Sequence, residues 1–258
     1  MSAQSIIEVE DLTIGYASDG HDTVVLEDVS FRVLRGEVFV ILGGSGSGKS
    51  TLLKHMIGLQ QPLRGRIAID GDDIVTADGP ARRSIMRKFG VMYQMGALFG
   101  SMSTLENVRL PLEEFTEFDD DAIDLVARTK LYLVGLMSAV HRSPAELSGG
   151  MQKRAAIARA MALDPAIMFL DEPSAGLDPI TSADLDRLIL RLARTLGITF
   201  VVVTHELPSI FAIADRVIML DARTRGIIAT GTPEELRDHS DNPWVHRFFN
   251  REPEEAMP

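Results

Sequence analysis

The segment Gly43-Gly44-Ser45-Gly46-Ser47-Gly48-Lys49-Ser50 constrains this chain more than any other. It follows the apolar run Val38 to Leu42 and leads into Thr51-Leu52-Leu53-Lys54-His55-Met56, and it matches the phosphate-binding pattern G-x-x-x-x-G-K-[S/T] at every fixed position. Four glycines in six residues let the backbone curl into a concavity whose N–H groups converge on an anion at the start of the next helix. Lys49 can then reach the β- and γ-phosphates of a nucleoside triphosphate, and the Ser50 hydroxyl can ligate Mg²⁺. The alternative is a flexible Gly/Ser linker. Linkers join domains, however, whereas this segment joins a buried strand to a helix. The loop therefore indicates a triphosphate without indicating what its energy is used for.

With 258 residues and 45% apolar content, the chain suits one large α/β domain or two small ones around a sizeable core. The longest apolar candidate, Leu131 to Val140, is about half of the roughly 18–20 residues a membrane span needs, so it reads as buried helix or interface. The start, Met1-Ser2-Ala3-Gln4-Ser5, has no basic leader, and a cytoplasmic location is expected. Without cysteine, disulfides, thiolate metal sites and cysteine nucleophiles are excluded in this chain. A net charge of −11 argues against a broad nucleic-acid surface.

Periodicity organises the remainder. Residues 6 to 42 read as strands, with Tyr16 the one aromatic among the first twenty residues. Further strands are predicted at 66–71 and 89–93, the latter ending at Gln94. Thr104 to Leu110 and Asp119 to Met137 have helical spacing, and no strand signal returns until Ile167, so the middle is a helical insert. From there strand 167–170, helix 179–196, strand 198–203, helix 207–214 and strand 216–220 alternate, which implies a mainly parallel sheet. Asp178 caps the helix opened by Pro179, and Thr232 to Glu235 caps a short helix near the end. Trp244, Val245, Phe248 and Phe249 place large apolar groups in a polar tail, expected to dock on the body or on a second copy.

Two more segments carry chemistry. Ile167 to Leu170 is an apolar strand ending in Asp171 and Glu172. Beside a phosphate loop, Asp171 is placed to hold the metal that Ser50 also touches, with Glu172 directed towards an attacking water; the alternative is an acidic pair capping the turn at Pro173. Leu147-Ser148-Gly149-Gly150-Met151 opens a helix expected to run through Ala162. Its free N–H groups can form a second anion site, although read alone Ser-Gly-Gly is a plain loop.

Together, the phosphate loop, Gln94 after a strand, Leu147 to Gly150, Asp171-Glu172, Ser174-Ala175-Gly176-Leu177-Asp178 and His205 after a strand resemble the ABC-type ATPases in order and spacing over residues 6 to 236. The resemblance implies an α/β ATPase with a mainly parallel core sheet, an N-terminal antiparallel β subdomain and a helical insert. Residues 1–94 and 164–236 would form the core, 95–163 the helical part ending in the signature helix, and 237–258 an interface tail. It implies a head-to-tail dimer binding ATP and Mg²⁺ between Gly43 to Thr51 of one copy and Ser148, Gly149 and Gly150 of the other, with Asp178 across the seam. Tyr16 would stack on adenine, Gln94 contact Mg²⁺ and water, and His205 contact the γ-phosphate. The alternatives for these three side chains are, in turn, strand packing, a surface glutamine and a helix cap.

Without a membrane span, a transporter reading requires a separate permease. Met95-Gly96-Ala97-Leu98-Phe99-Gly100-Ser101-Met102 is apolar enough to form a groove for it, or a locally buried loop. Met151 where glutamine is usual, Gly176, residues Gln94 to Phe99 and Pro179-Ile180-Thr181 resemble the Mla-type ATPases paired with Mce-domain proteins in phospholipid transport. That likeness implies a peripheral protein on the cytoplasmic side of the inner membrane, a permease, an Mce-domain protein, a small regulatory subunit and no nucleic acid. An importer of an amino acid or other polar solute would share the same site residues, and a soluble ABC ATPase is a further alternative.

Overall fold

The computed structural model describes residues 4–18 and 21–252; expectations placed on residues 1–3 and 253–258 lie outside them. Two sheets organise the chain. In the first, β1 (Ser5–Ser18) pairs antiparallel with β2 (His21–Leu34) and with β4 (Arg64–Ile69), and the short β5 (Asp72–Asp73) completes the order β2-β1-β4-β5. The second contains β3 (Val38–Gly43), β6 (Phe89–Met92), β7 (Ile167–Asp171), β8 (Thr199–Val203), β9 (Arg216–Asp221) and β10 (Gly226–Gly231) in the order β10-β9-β3-β8-β7-β6. Its strands are parallel except for β10, which runs antiparallel to β9.

Strand alternation divides the core. Val38, Val40 and Leu42 face one cluster, and Phe39 and Ile41 the other. The second cluster includes Leu52, Leu53 and Met56 of α1 (Lys49–Met56) together with Ile7, Leu12, Ile67 and Ile69 of the antiparallel sheet. The helix after the phosphate loop is thus packed between two sheets. The opposite face is covered by α3 (Thr104–Phe115), α4 (Asp120–Leu133), α5 (Gly149–Ala160), α6 (Pro179–Leu196) and α7 (Leu207–Ile213). All six residues of β3 are buried, as a continuous apolar strand between two covered faces requires.

Local differences from expectation have local causes. The helix predicted to reach Met137 ends at Leu133, because Gly135 turns the chain with φ +72°. The helix predicted over 104–110 continues to Phe115, carrying Pro111 inside it. The signature helix ends at Ala160, not Ala162. Helix α2 (Gly79–Met86) and strand β10 were not predicted: α2 buries only Ile85, and β10 reads Gly-Ile-Ile-Ala-Thr-Gly with no fully buried residue. In the tail, α8 (Pro233–His239) and α9 (Pro243–Asn250) dock on the body. Val245 and Phe249 are buried, and Phe249 packs edge-on against Phe211 of α7 at 5.9 Å.

Candidate nucleotide-binding site

The phosphate loop leaves the carboxyl end of β3 in the middle of the parallel sheet, where doubly wound sheets place their ligand crevice. Gly48, with φ +93°, precedes α1 without a side-chain cap, so the first helical amides remain available to an anion. A β-carbon on Gly48 would come within 2.9 Å of Val25, so the loop also needs glycine for space. Lys49 lies back on its own loop, its Nζ donating to the carbonyls of Gly43 (2.8 Å) and Gly44 (2.9 Å). Burial lowers its pKa, while Glu172 and Asp171 act in the opposite direction. Tyr16 is half exposed, and its hydroxyl meets Thr51 Oγ1 at 3.0 Å, leaving a ring beside the end of the loop.

Asp171 aligns with Val203 of β8, and Val203 with Ile41 of β3. One strand therefore separates the acidic pair from the loop strand, about 10 Å across the sheet. Burial and then the Glu172 charge push the Asp171 carboxyl above the usual range; Lys54, Lys49 and the Ser50 hydroxyl oppose this. Glu172 adopts a left-handed backbone conformation at φ +47°, costly for a non-glycine residue and typical of functional turns. Its Oε1 meets His205 Nδ1 at 2.7 Å, a pairing the sequence did not announce. Asp171 Oδ1, Glu172 Oε2 and Ser47 Oγ are buried without hydrogen-bond partners. Orphaned oxygens beside a lysine and free helix amides fit a phosphate carrying Mg²⁺, whose hard oxygen ligands Ser50, Asp171 and Gln94 can supply.

The signature segment forms a second assembly. Ser148 caps α5, accepting from the Met151 amide, and its glycines lie against the turn that ends at Asp178. A β-carbon on Gly149 would lie 3.4 Å from Leu177, and one on Gly150 only 2.3 Å from Thr181 Cγ2. Asp178 holds that turn by accepting from the amides of Ile180 (3.0 Å) and Thr181 (3.1 Å) and from the Thr181 hydroxyl. These bonds, the hydroxyl first, hold its carboxyl below the usual range. Gln94 is exposed at the mouth of a cleft shared with Gly149, Lys153 and Ala175. Among the described residues no hydrogen bond or ion pair links residues 43–51 to residues 147–151. Sequence reasoning missed Lys153, whose Nζ donates to the Gln94 carbonyl, and Thr181. A signal existed for Lys153: it shares a buried helical face with Gly150 and Ile157.

The family model described as ABC transporter matches residues 26–175. A probable ribonucleotide transport ATP-binding protein, mkl, of Mycobacterium leprae is 41% identical over 244 residues, covering 95% of this chain and 68% of that longer protein. The intermembrane phospholipid transport system ATP-binding protein MlaF of Escherichia coli K12 is 38% identical over 226 residues, 88% of this chain and 83% of that one. The methionine import ATP-binding protein MetN of Xanthomonas euvesicatoria is 37% identical over 249 residues, 95% and 72%. Among solved structures, the ATP-binding cassette MJ0796, in a dimeric post-hydrolysis state bound to ADP and Pi, superposes with a TM-score of 0.79 at 30% identity, covering 88% of this chain and 98% of that one. A phosphate loop, an acidic strand end and a capped Ser-Gly-Gly helix, on this fold and in this company, place the chain in the ABC transporter family as an ATP-binding, ATP-hydrolysing subunit.

Proposed function

We propose that this ATPase powers phospholipid transport between membranes through a separate permease and an Mce-domain protein, from the cytoplasmic face of the inner membrane. The observation that carries the reading is the 38% identity with MlaF over 88% of the chain. Met151, Gly176 and the run Gln94 to Phe99 agree with it, and a small regulatory subunit belongs to the same reading. Among the described residues no helix is long and apolar enough to cross a membrane, and this reading assigns the path for substrate to the permease. Exposed Met95 (87%) and Phe99 (49%) offer that chain an apolar footing. In this layout residues 1–94 and 164–236 form the nucleotide core, 95–163 the helical part and 237–258 a tail used as an interface.

The chemistry divides between two copies. Tyr16 receives adenine, and the amides of Gly43 to Thr51 receive the phosphates of ATP. Lys49 leaves the Gly43 and Gly44 carbonyls for the phosphates, stronger acceptors for an ammonium. Ser50, Asp171 and Gln94 would hold Mg²⁺, which supplies charge neutralisation when bound. Ser148, Gly149 and Gly150 of a second copy close on the γ-phosphate, with Asp178 at the seam. Glu172 orients the attacking water with the oxygen that has no other partner, and His205 holds the first oxygen and faces the transferring phosphoryl group. Hydrolysis removes the anion both copies share, and they part.

In E172Q, ATP binding should persist while hydrolysis stops and an ATP-bound dimer accumulates in sedimentation. Only monomer, with hydrolysis unchanged, would overturn the site assignment. Purification of a tagged chain from membranes tests the transport reading: a multi-span permease with an Mce-domain protein is expected. A soluble-solute receptor would instead favour the importer reading, which the 37% identity with MetN supports.

A further inference from the structure

Two cations of α5 turn away from solvent and towards the chain that follows β6. Lys153 is buried between Gly150 and Ile157, on a face that helical periodicity reserves for apolar side chains. Its Nζ donates to the main-chain carbonyl of Gln94 and lies 3.5 Å from that of Glu172. Six residues along, Arg159 donates to the carbonyls of Gly96 (2.9 Å) and Ala97 (2.7 Å), with its guanidinium 5.8 Å from the centre of the Phe99 ring. Segment 94–97 is thereby hung on the signature helix through its backbone, whatever its side chains do.

Such an arrangement costs stability unless it serves something else. Burial lowers the Lys153 pKa against the opposing charges of Glu172 and Asp171. A methionine of similar reach would fill the same space without desolvating an ion. The two carbonyls belong to the two residues assigned to the water and the metal, and Glu172 must be held in a left-handed conformation that a free chain avoids.

We propose that Lys153 is a positioning residue for hydrolysis, tying the main chain at Gln94 and Glu172 to the first turns of the signature helix so that all three move as one body. The proposal rests on the reading of Glu172 and Gln94 given above. Seating α5 on a second copy's nucleotide, or shifting residues 95–102 against a membrane partner, then changes where the catalytic carboxylate points. Because Lys153 acts through carbonyls away from the phosphate loop, it governs turnover and leaves ATP affinity alone.

The test compares ATP dissociation constant, KM and kcat for the parent chain, K153M, K153R and E172Q. K153M should bind ATP within about twofold of the parent and lose kcat by about tenfold or more, and K153R should recover most of that loss. A K153M kcat within about twofold of the parent overturns the proposal, as does a parallel loss of ATP affinity, the mark of a merely structural lysine. Failure of K153R to restore an impaired K153M also overturns it, since arginine keeps the charge and the donors. Abolished hydrolysis in E172Q with unimpaired K153M refutes the lysine alone, whereas retained hydrolysis in E172Q refutes the Glu172 reading and the lysine with it. If K153M does not fold, K153Q takes its place: it keeps a donor without charge, and an intermediate kcat at unchanged affinity is expected, an unimpaired kcat being the refutation.

Discussion

Gly150→Ala tests how closely the signature helix is fitted to the turn at Asp178. The added carbon would sit 2.3 Å from Thr181 Cγ2, and Thr181 cannot simply rotate, because its hydroxyl and amide are both bonded to Asp178. Two opposing contributions decide the sign. Alanine for glycine in a helix gains up to about 1 kcal/mol. Forcing a methyl into occupied space costs about 1–3 kcal/mol. The single variant should therefore be destabilised by roughly 0–3 kcal/mol. Thr181→Ser removes the obstructing methyl and keeps the hydroxyl that Asp178 accepts from. In that background G150A should instead be stabilising by up to about 1 kcal/mol. Urea unfolding of the four proteins without nucleotide gives the coupling directly, expected at about 1–3 kcal/mol. A coupling below about 0.5 kcal/mol would mean that the helix and the turn are not in contact, and the geometry described for this half of the site would be wrong.

Asp171→Asn should raise the thermal midpoint of the nucleotide-free protein, because burial and Glu172 disfavour the charged carboxylate; the same change should weaken Mg²⁺-dependent ATP binding, and a fall in the midpoint would contradict the electrostatics. His55 of α1 is buried, and burial depresses its folded-state pKa. The unfolded chain therefore takes up the proton first, and stability is complete above pH of about 6.5 and is lost as pH falls towards the folded pKa. A plot of midpoint against pH should flatten in this window for His55→Gln, and an unchanged slope would remove His55 as the cause. Trp244 is the only tryptophan, and its Cζ2 lies 3.8 Å from where a β-carbon on Gly44 would stand, so saturating ATP should shift its emission; an ATP-silent spectrum would show that the loop and α9 do not communicate.

The parts of the site that follow from local chemistry were legible in the sequence. Gly43 to Ser50 needs a strand before it and a helix after it, and both are there. The cap at Asp178, the proline after it and the stripe Leu185, Leu188, Ile189, Leu192 predicted α6 to its last turn, because each signal lies within one element. What could not be read depends on distant partners. Nothing near His205 announces that its ring meets Glu172, thirty-three positions earlier. Its helical phase puts Lys153 on a buried face with Gly150 and Ile157, but does not reveal the partner it finds there, the Gln94 carbonyl fifty-nine positions away. Strand β10 was missed for a related reason: its half-buried residues are held by β9, not by an apolar pattern of their own. The apolar tail was noticed, and of the two docking surfaces left open, residues 243–250 use the body of their own chain.

The position of β3 sets an order of events during synthesis. The hairpin of β1 and β2 joins near neighbours and can form early, whereas β3 pairs with β8 and β9, and the bond from the Val38 amide to the Asp215 carboxylate spans 177 positions. At ordinary elongation rates β3 waits roughly 10–30 s for β8 to be made. Until then the five apolar residues Val38 to Leu42 that lead into the phosphate motif have neither flanking strand, the kind of unpaired edge that recruits chaperones or other chains. A nascent chain cut before Thr199 would carry the whole motif and still lack the scaffold that shapes it into a site. Nucleotide affinity is thus acquired at the end of folding, and the appearance of ATP binding in a growing chain would time the closure of the central sheet.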